Sequence, residues 1–316
     1  MLRFKARRLD PTQRETLTPS QRRFQQRIIR MWGDVRDLVT SNQDDIAYAV
    51  LHRGAIQVEA MIPMEPLIDA QDFFYRELLT EVLDGGSRVK LPAIEKARVA
   101  FSFDRSRPEA ANWASRNAGE MINNFNKAQR EALRDLIARA EMGDFTVDSV
   151  ARQLRNSIGL TEQQAGWVEN RWEREFTTRI ANGFSLRDAE ALADQASNRY
   201  YQQVLRYRSE TIARTEILKA SHEGRREAWQ QGIEGGWIDP SWQQEWIASS
   251  DACEICLPFN GTRVAVNARF PAGEPPLHPN CRCDVMLVES MPRDPSFAAL
   301  SDDQLDALIT SLAGDL

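Results

Sequence analysis

Residues 277–283 read Leu-His-Pro-Asn-Cys-Arg-Cys, which places one of the chain's 3 histidines and two of its 4 cysteines within a single short loop. The other two, Cys253 and Cys256, form a Cys-x-x-Cys knuckle, a spacing that lets two thiolates converge on one tetrahedral ion. In an extended segment residues two apart share a face, so Cys281 and Cys283 both reach inward while Arg282 faces out. Four soft ligands in a tetrahedral arrangement select zinc. His278 is a fifth candidate, able to replace a cysteine or to act as a hydrogen-bond partner behind the ligands, and the sequence does not choose between these roles. Pro279 biases His278 to an extended conformation, and Pro275, Pro276 and Pro279 stiffen the loop. A catalytic zinc would need an open coordination position and a nearby general base. Neither is indicated, so the expected cofactor is structural Zn2+. Disulfides or unliganded thiols are the alternatives. A zincin-type site is not, because "HEGRRE" from His222 carries Arg226 where a second histidine is required.

Working outward, 316 residues at 42% hydrophobic and 27% charged suffice for a sizeable core and exclude a wholly disordered chain. No stretch approaches the roughly 18 apolar residues of a membrane span, and "MLRFKARRLDPTQRE" lacks the apolar centre of a signal peptide. The expected compartment is the cytosol in which the chain is made, where thiols stay reduced, and this favours metal over disulfides. The formal charge of -6 conceals an asymmetry: residues 1–36 hold ten Lys/Arg against three Asp/Glu. Such an arm can meet phosphate or an acidic protein surface; the alternative is a solvated basic helix face.

From about residue 18 to 232 the pattern is helical. Thr18 caps a helix with Pro19 at its first position, and Phe24, Ile28, Met31, Val35 and Leu38 form its apolar stripe, with Arg23, Arg27 and Arg30 alongside. Helices are expected over 43–59 and 65–84, the second ended by Gly85-Gly86, then near 108–121, 123–142, 146–158, 161–182 and 185–232. The last, headed by Ser185, is the longest, a rod of roughly 60 Å if unbroken over about 40 residues. Beyond the Gly- and Pro-rich hinge "GIEGGWIDPSW", short strands are expected in "QQEWIA", "TRVAV" and "DVMLV", with Asn260-Gly261 as a hairpin-turn signal. This piece is too small to bury much apolar surface and needs a staple. "LSDDQLDALITSL" closes the chain as an amphipathic helix that requires something to pack on.

The expected fold is therefore mainly α with a small α+β module: an elongated helical body, a zinc-stapled C-terminal domain of short strands, and a terminal docking helix. The expected divisions are a basic N-terminal helical arm over 1–63, the helical body over 64–236, the Cys/His zinc module over 237–289, and a linker with the amphipathic C-terminal helix over 290–316.

Three segments together carry a resemblance: "ETIARTEILKASHEGRREAW" on the long helix, "WIASSDACEICLPFNG" from Trp246, and "PPLHPNCRCDVMLV". In order and spacing they resemble the phage Mu F-like family of head morphogenesis (minor head) proteins, as do "FDRSRPEAANWASRNAGEMI" and "IGLTEQQAGWVEN" upstream, so that the likeness covers about 100 to 289. The resemblance implies a tailed-phage virion component in few copies, needed for head assembly or DNA packaging, at the portal vertex and head interior. It implies host cytoplasm during assembly, and the portal, major capsid or scaffolding protein as partners. It also implies a metal held by Cys253, Cys256, His278, Cys281 and Cys283. The Ala-Arg-Thr-Glu segment, Ala213 to Glu216, is the other family hallmark. There Glu210 with Arg214, and Lys219 with Glu223, are spaced for helix-face ion pairs, while Glu216 faces another way from Arg214. Arg214 is expected to brace the helix against the zinc module, the alternative being solvated surface ion pairs.

Against this structural reading stands an ADP-ribosyltransferase-like or other toxin-type enzyme. ADP-ribosyltransferases use an Arg, a Ser/Thr and a Glu, but from separate strands, and Arg214, Thr215 and Glu216 are consecutive on a helix. The chain also lacks a Gly-rich phosphate loop, and the expectation is no enzymatic activity. A third class is a DNA-binding internal head protein. The segment around the cysteines is acidic or neutral, so any contact with packaged DNA is expected from residues 1–36. No membrane partner is expected.

Overall fold

The computed structural model describes residues 17–52, 55–91, 101–143 and 145–289. Eight helices are described: α1 (Pro19–Ser41), α2 (Gln43–His52), α3 (Ala55–Met61), α4 (Glu65–Ser87), α5 (Pro108–Met142), α6 (Val147–Ser157), α7 (Glu162–Ala181) and α8 (Leu186–Glu234). Three strands follow, β1 (Gln243–Ile247), β2 (Arg263–Ala265) and β3 (Asp284–Val288), in one antiparallel sheet of order β2-β1-β3. The described chain is mainly helical with a small sheet, as composition and periodicity led one to expect. The expected C-terminal helix lies outside the described residues.

Capping chemistry sets the helix starts. Thr18 accepts from the Gln21 backbone N–H while the Gln21 side chain returns to the Thr18 N–H, and Thr161 and Gln164 repeat the device at α7. Ser185 caps α8 through the Asp188 N–H. Two expected helices are one: α5 runs unbroken over 35 residues because the stripe Ala114, Ala118, Met121, Ile122, Phe125 and Leu133 keeps facing the core through Asn123-Asn124. Within the span 43–59, where one helix was expected, the described residues are helical in α2 and α3.

α8 runs unbroken over close to the expected span, 49 residues or about 73 Å at 1.5 Å per residue. It packs against α1, α4, α5 and α7. α1 buries Phe24, Ile28, Met31, Trp32, Val35 and Val39 in that same core. Gly85-Gly86 does not end α4: both residues are helical and buried against α8. A Cβ on Gly85 would stand 2.5 Å from the Ser221 carbonyl oxygen, so these glycines serve close backbone approach rather than termination.

The sheet carries a second, separate core. Gln244 and Trp246 point inward from β1, and Trp246 packs edge-on against Phe270 and tilted against Phe259. Asn260-Gly261 does not make a two-residue hairpin. Gly261, at φ 78°, completes a turn in which the Thr262 N–H donates to the Phe259 carbonyl, at the end of a long excursion from β1 that carries the cysteine knuckle. The Asn260 side chain ties the excursion back by accepting from the Ala248 N–H at 2.9 Å.

Candidate metal centre

The knuckle is built by the backbone: the Cys256 and Leu257 N–H groups both donate to the Cys253 carbonyl, at 3.1 and 2.9 Å, which turns both side chains to one side. The opposing loop is a turn read straight from His278-Pro279-Asn280-Cys281. Proline takes the second position, Asn280 the third at φ 61°, and the Cys281 N–H closes onto the His278 carbonyl at 3.0 Å. That is the sequence signature of a type II turn, in which the third residue needs positive φ. Its effect is to aim His278 and Cys281, the two ends of the turn, at the knuckle.

The five expected donors are brought together. His278 Nε2 lies 3.1 Å from Cys253 Sγ and 3.2 Å from Cys256 Sγ, and Cys256 Sγ lies 3.8 Å from Cys281 Sγ. They form two groups that share Cys256: Cys253, Cys256 and His278, and Cys256, Cys281 and Cys283. A tetrahedral ion with metal–sulfur bonds of about 2.3 Å has sulfur–sulfur edges of about 3.8 Å, so the Cys256–Cys281 separation suits one. The histidine is oriented for the same task. Its Nδ1 is 2.9 Å from the Pro279 carbonyl, which only accepts, so Nδ1 carries the proton and Nε2 turns its lone pair to the sulfurs. Burial, with the neighbouring Cys281 and Cys283 sulfurs, pushes the Cys256 thiol well above its ordinary range, and burial also raises Cys281. A cation among these sulfurs reverses that preference by stabilising the thiolates. These groups can hold a metal ion, and Cys256, Cys281 and Cys283 belong to the second core beside Trp246 and Val285.

The centre rides on one face of α8. Thr211 and Thr215 meet Asn280, and Leu218 lines a cleft with Asn280, Cys281 and Arg282. One and two turns on, His222 Nδ1 donates to the Pro275 carbonyl at 2.9 Å and Arg225 bonds the Asp284 carboxylate. Trp229 completes the stripe inside the second core. His222 Nε2 also lies 3.1 Å from Asp284 Oδ1. Burial alone would raise the Asp284 carboxyl, but His222 and Arg225 outweigh it and hold it below the usual carboxylate range. The intervals of four, three, four, three and four residues from Thr211 to Trp229 keep this row on a single helix face.

Sequence reasoning passed over this row because most of it is polar, and a search for apolar periodicity does not register it. In the Ala-Arg-Thr-Glu segment, Arg214 pairs with Glu210 at 2.9 Å as the spacing implies. Glu216 makes no ion pair among the described residues, and burial raises its carboxyl. The expected Lys219–Glu223 pair is not formed: Glu223 pairs with Arg226 at 3.3 Å, and Lys219 sits 5.9 Å over the Trp113 ring.

The stretch that contains α6, α7, α8, the knuckle and the His-Pro-Asn-Cys turn, residues 131–286 in all, matches the family model described as Phage Mu protein F like protein. Over these residues the chain is similar to the Phage Mu F-like family. It is a family of phage head morphogenesis. No curated protein and no solved structure matches the chain. The Phage Mu F-like region begins inside α5, later than the start near 100 expected from the sequence, so α1 and α4 pack against α8 from outside it. Among the described residues no helix is long and apolar enough to cross a membrane.

Proposed function

We propose that the protein is a minor head protein of a tailed bacteriophage, associated with the portal vertex and needed for head morphogenesis and DNA packaging. The observation that carries this reading is the Phage Mu F-like match over residues 131–286, which takes in both the long helix and the Cys/His cluster. The protein acts as a structural part in the virion head, after assembly in the host cytoplasm. Its partners are the portal protein and the major capsid or scaffolding protein, and residues before α1 supply contact with packaged DNA. Cys253, Cys256, Cys281, Cys283 and His278 are the donors for a structural Zn2+, which supplies the small module with the cohesion its core is too small to give. Divergence within the Ala-Arg-Thr-Glu segment supports a non-enzymatic role: Arg214 turns to Glu210, Thr215 to Asn280, and Glu216 is half-buried under the influence of Lys219 and Glu120.

Cryo-electron microscopy of phage heads, reconstructed at the portal vertex without imposed shell symmetry, tests the assignment. The expected density is a long helix with a compact zinc module against the portal. Particles that lack this chain altogether, with heads assembled and filled normally in its absence, overturn it.

A further inference from the structure

Two helical hydroxyls converge on one residue of the metal loop. The Asn280 N–H donates to Thr215 Oγ1 at 3.3 Å, and the Asn280 side-chain amide donates to Thr211 Oγ1 at 3.1 Å. The Thr215 hydroxyl spends its own proton on the Thr211 carbonyl at 2.8 Å, which leaves its lone pairs free to accept from the loop. Asn280 is the residue at positive φ in the turn whose two ends are His278 and Cys281. Outside glycine that conformation is costly, and Asn adopts it most readily. Each of these hydrogen bonds therefore acts on the geometry of two metal-ligand candidates at once, and each is accepted by a hydroxyl of α8.

We infer that Thr211 and Thr215 are positioning residues of the metal centre: acting through Asn280, the long helix sets the separation and direction of His278 and Cys281. The inference rests on the metal reading above. It adds that the metal's affinity is set partly by a helix that contributes no ligand, so that loading the ion and seating the module on α8 are one linked event. Residues behind metal ligands commonly contribute 10- to 100-fold to affinity.

The test uses the full-length chain and zinc itself. Zinc content is measured by elemental analysis, affinity by competition with a chromophoric chelator, and donor geometry by the visible spectrum of the cobalt-substituted protein. Thr211→Val with Thr215→Val keeps the β-branched shape and removes both hydroxyls. About 10- to 100-fold weaker zinc binding and an altered cobalt spectrum are expected, with helical circular dichroism retained. Thr211→Ser with Thr215→Ser restores the hydroxyls and is expected to recover both readouts. Asn280→Gly suits the positive φ, leaves α8 untouched and loses only the amide bond to Thr211. It is expected to weaken zinc by roughly two- to tenfold, and it decides the matter should the valine pair fail to fold. A valine pair that binds zinc as tightly as the wild-type chain, with an identical cobalt spectrum, overturns the inference and leaves the metal reading standing. A serine pair as weak as the valine pair, or Asn280→Gly without effect, also overturns it. A wild-type chain that binds no zinc removes the metal reading, and this inference with it.

Discussion

Gly224 on α8 lies so close to Val82 on α4 that a Cβ at position 224 would stand 1.9 Å from the Val82 carbonyl oxygen. The obstacle is backbone, which cannot swing aside as a side-chain tip can. The crossing also falls between His222 and Arg225, two of the residues that seat the sheet on α8, so the same turn of helix faces the helical core on one side and the module on the other.

Gly224→Ala is therefore expected to destabilise the fold by about 3 kcal/mol, the upper end of overpacking costs. Gly166, inside α7, is the control, because a Cβ there would meet nothing within 4 Å. At that position the same change is expected to stabilise by about 0.5–1 kcal/mol, since only the entropy of the unfolded chain is affected. Denaturant unfolding of both variants gives the answer; equal shifts would show that the helix crossing is not the constraint.

Glu216 gives a pH signature. Its carboxyl is raised chiefly by burial, and Glu120 adds to the effect while Lys219 opposes it. The folded state thus holds this proton more tightly than the unfolded chain does. Stability from this group falls as pH rises from the unfolded value up through the folded one, and it is level above both. Glu216→Gln mimics the protonated form. It is expected to match wild type at acid pH and to melt higher at pH 7. Melting curves that stay superimposed from pH 4 to 8 contradict this.

What could be read from the sequence followed from local rules. Thr18, Thr161 and Ser185 announce their helices because a cap is satisfied within three residues, and the cysteine spacing announces a shared site because a knuckle is equally local. What was hidden depends on partners remote in the chain. Gly85-Gly86 has the composition of a helix stop, and only the presence of Ser221 and Gly224 opposite makes it a crossing point. Thr215 stands between an arginine and a glutamate that draw attention as charges, yet the threonine is what holds the loop, across 65 residues of sequence. The Asn280 turn was legible in principle, since His-Pro-Asn-Cys satisfies the type II rule without tertiary information.

Metal removal should divide the molecule. The second core contains three of the four cysteines alongside the fully buried Trp246, whereas the helical core around Trp32 and Phe74 contains none. A strong chelator is expected to red-shift tryptophan emission as Trp246 meets water and to lower the sheet signal, while most of the helical circular dichroism persists. Cys256→Ser, which removes the donor common to both groups, should behave like chelated wild type. One zinc per chain is expected before treatment. An unchanged emission spectrum after chelation, with no metal found beforehand, would refute the staple.

The basic N-terminal region needs a finer cut than residues 1–36 as a block. Arg23 pairs with Glu77 at 2.9 Å and Arg27 lies over the Phe73 ring, so both are engaged within the fold. Removing α1 would also strip Phe24, Ile28, Met31 and Trp32 from the core, and any fall in DNA binding would then report unfolding. Residues 1–16, outside the described structure, carry Arg3, Lys5, Arg7, Arg8 and Arg14 against Asp10 and Glu15. Replacing Arg3, Lys5, Arg7 and Arg8 with glutamine should weaken duplex DNA binding and flatten its salt dependence by roughly 0.9 in the log–log slope for each phosphate no longer neutralised. Melting temperature should not move. A full salt slope in the quadruple variant would place the DNA-binding surface elsewhere, with the exposed Arg22 and Arg30 of α1 as the next positions to neutralise.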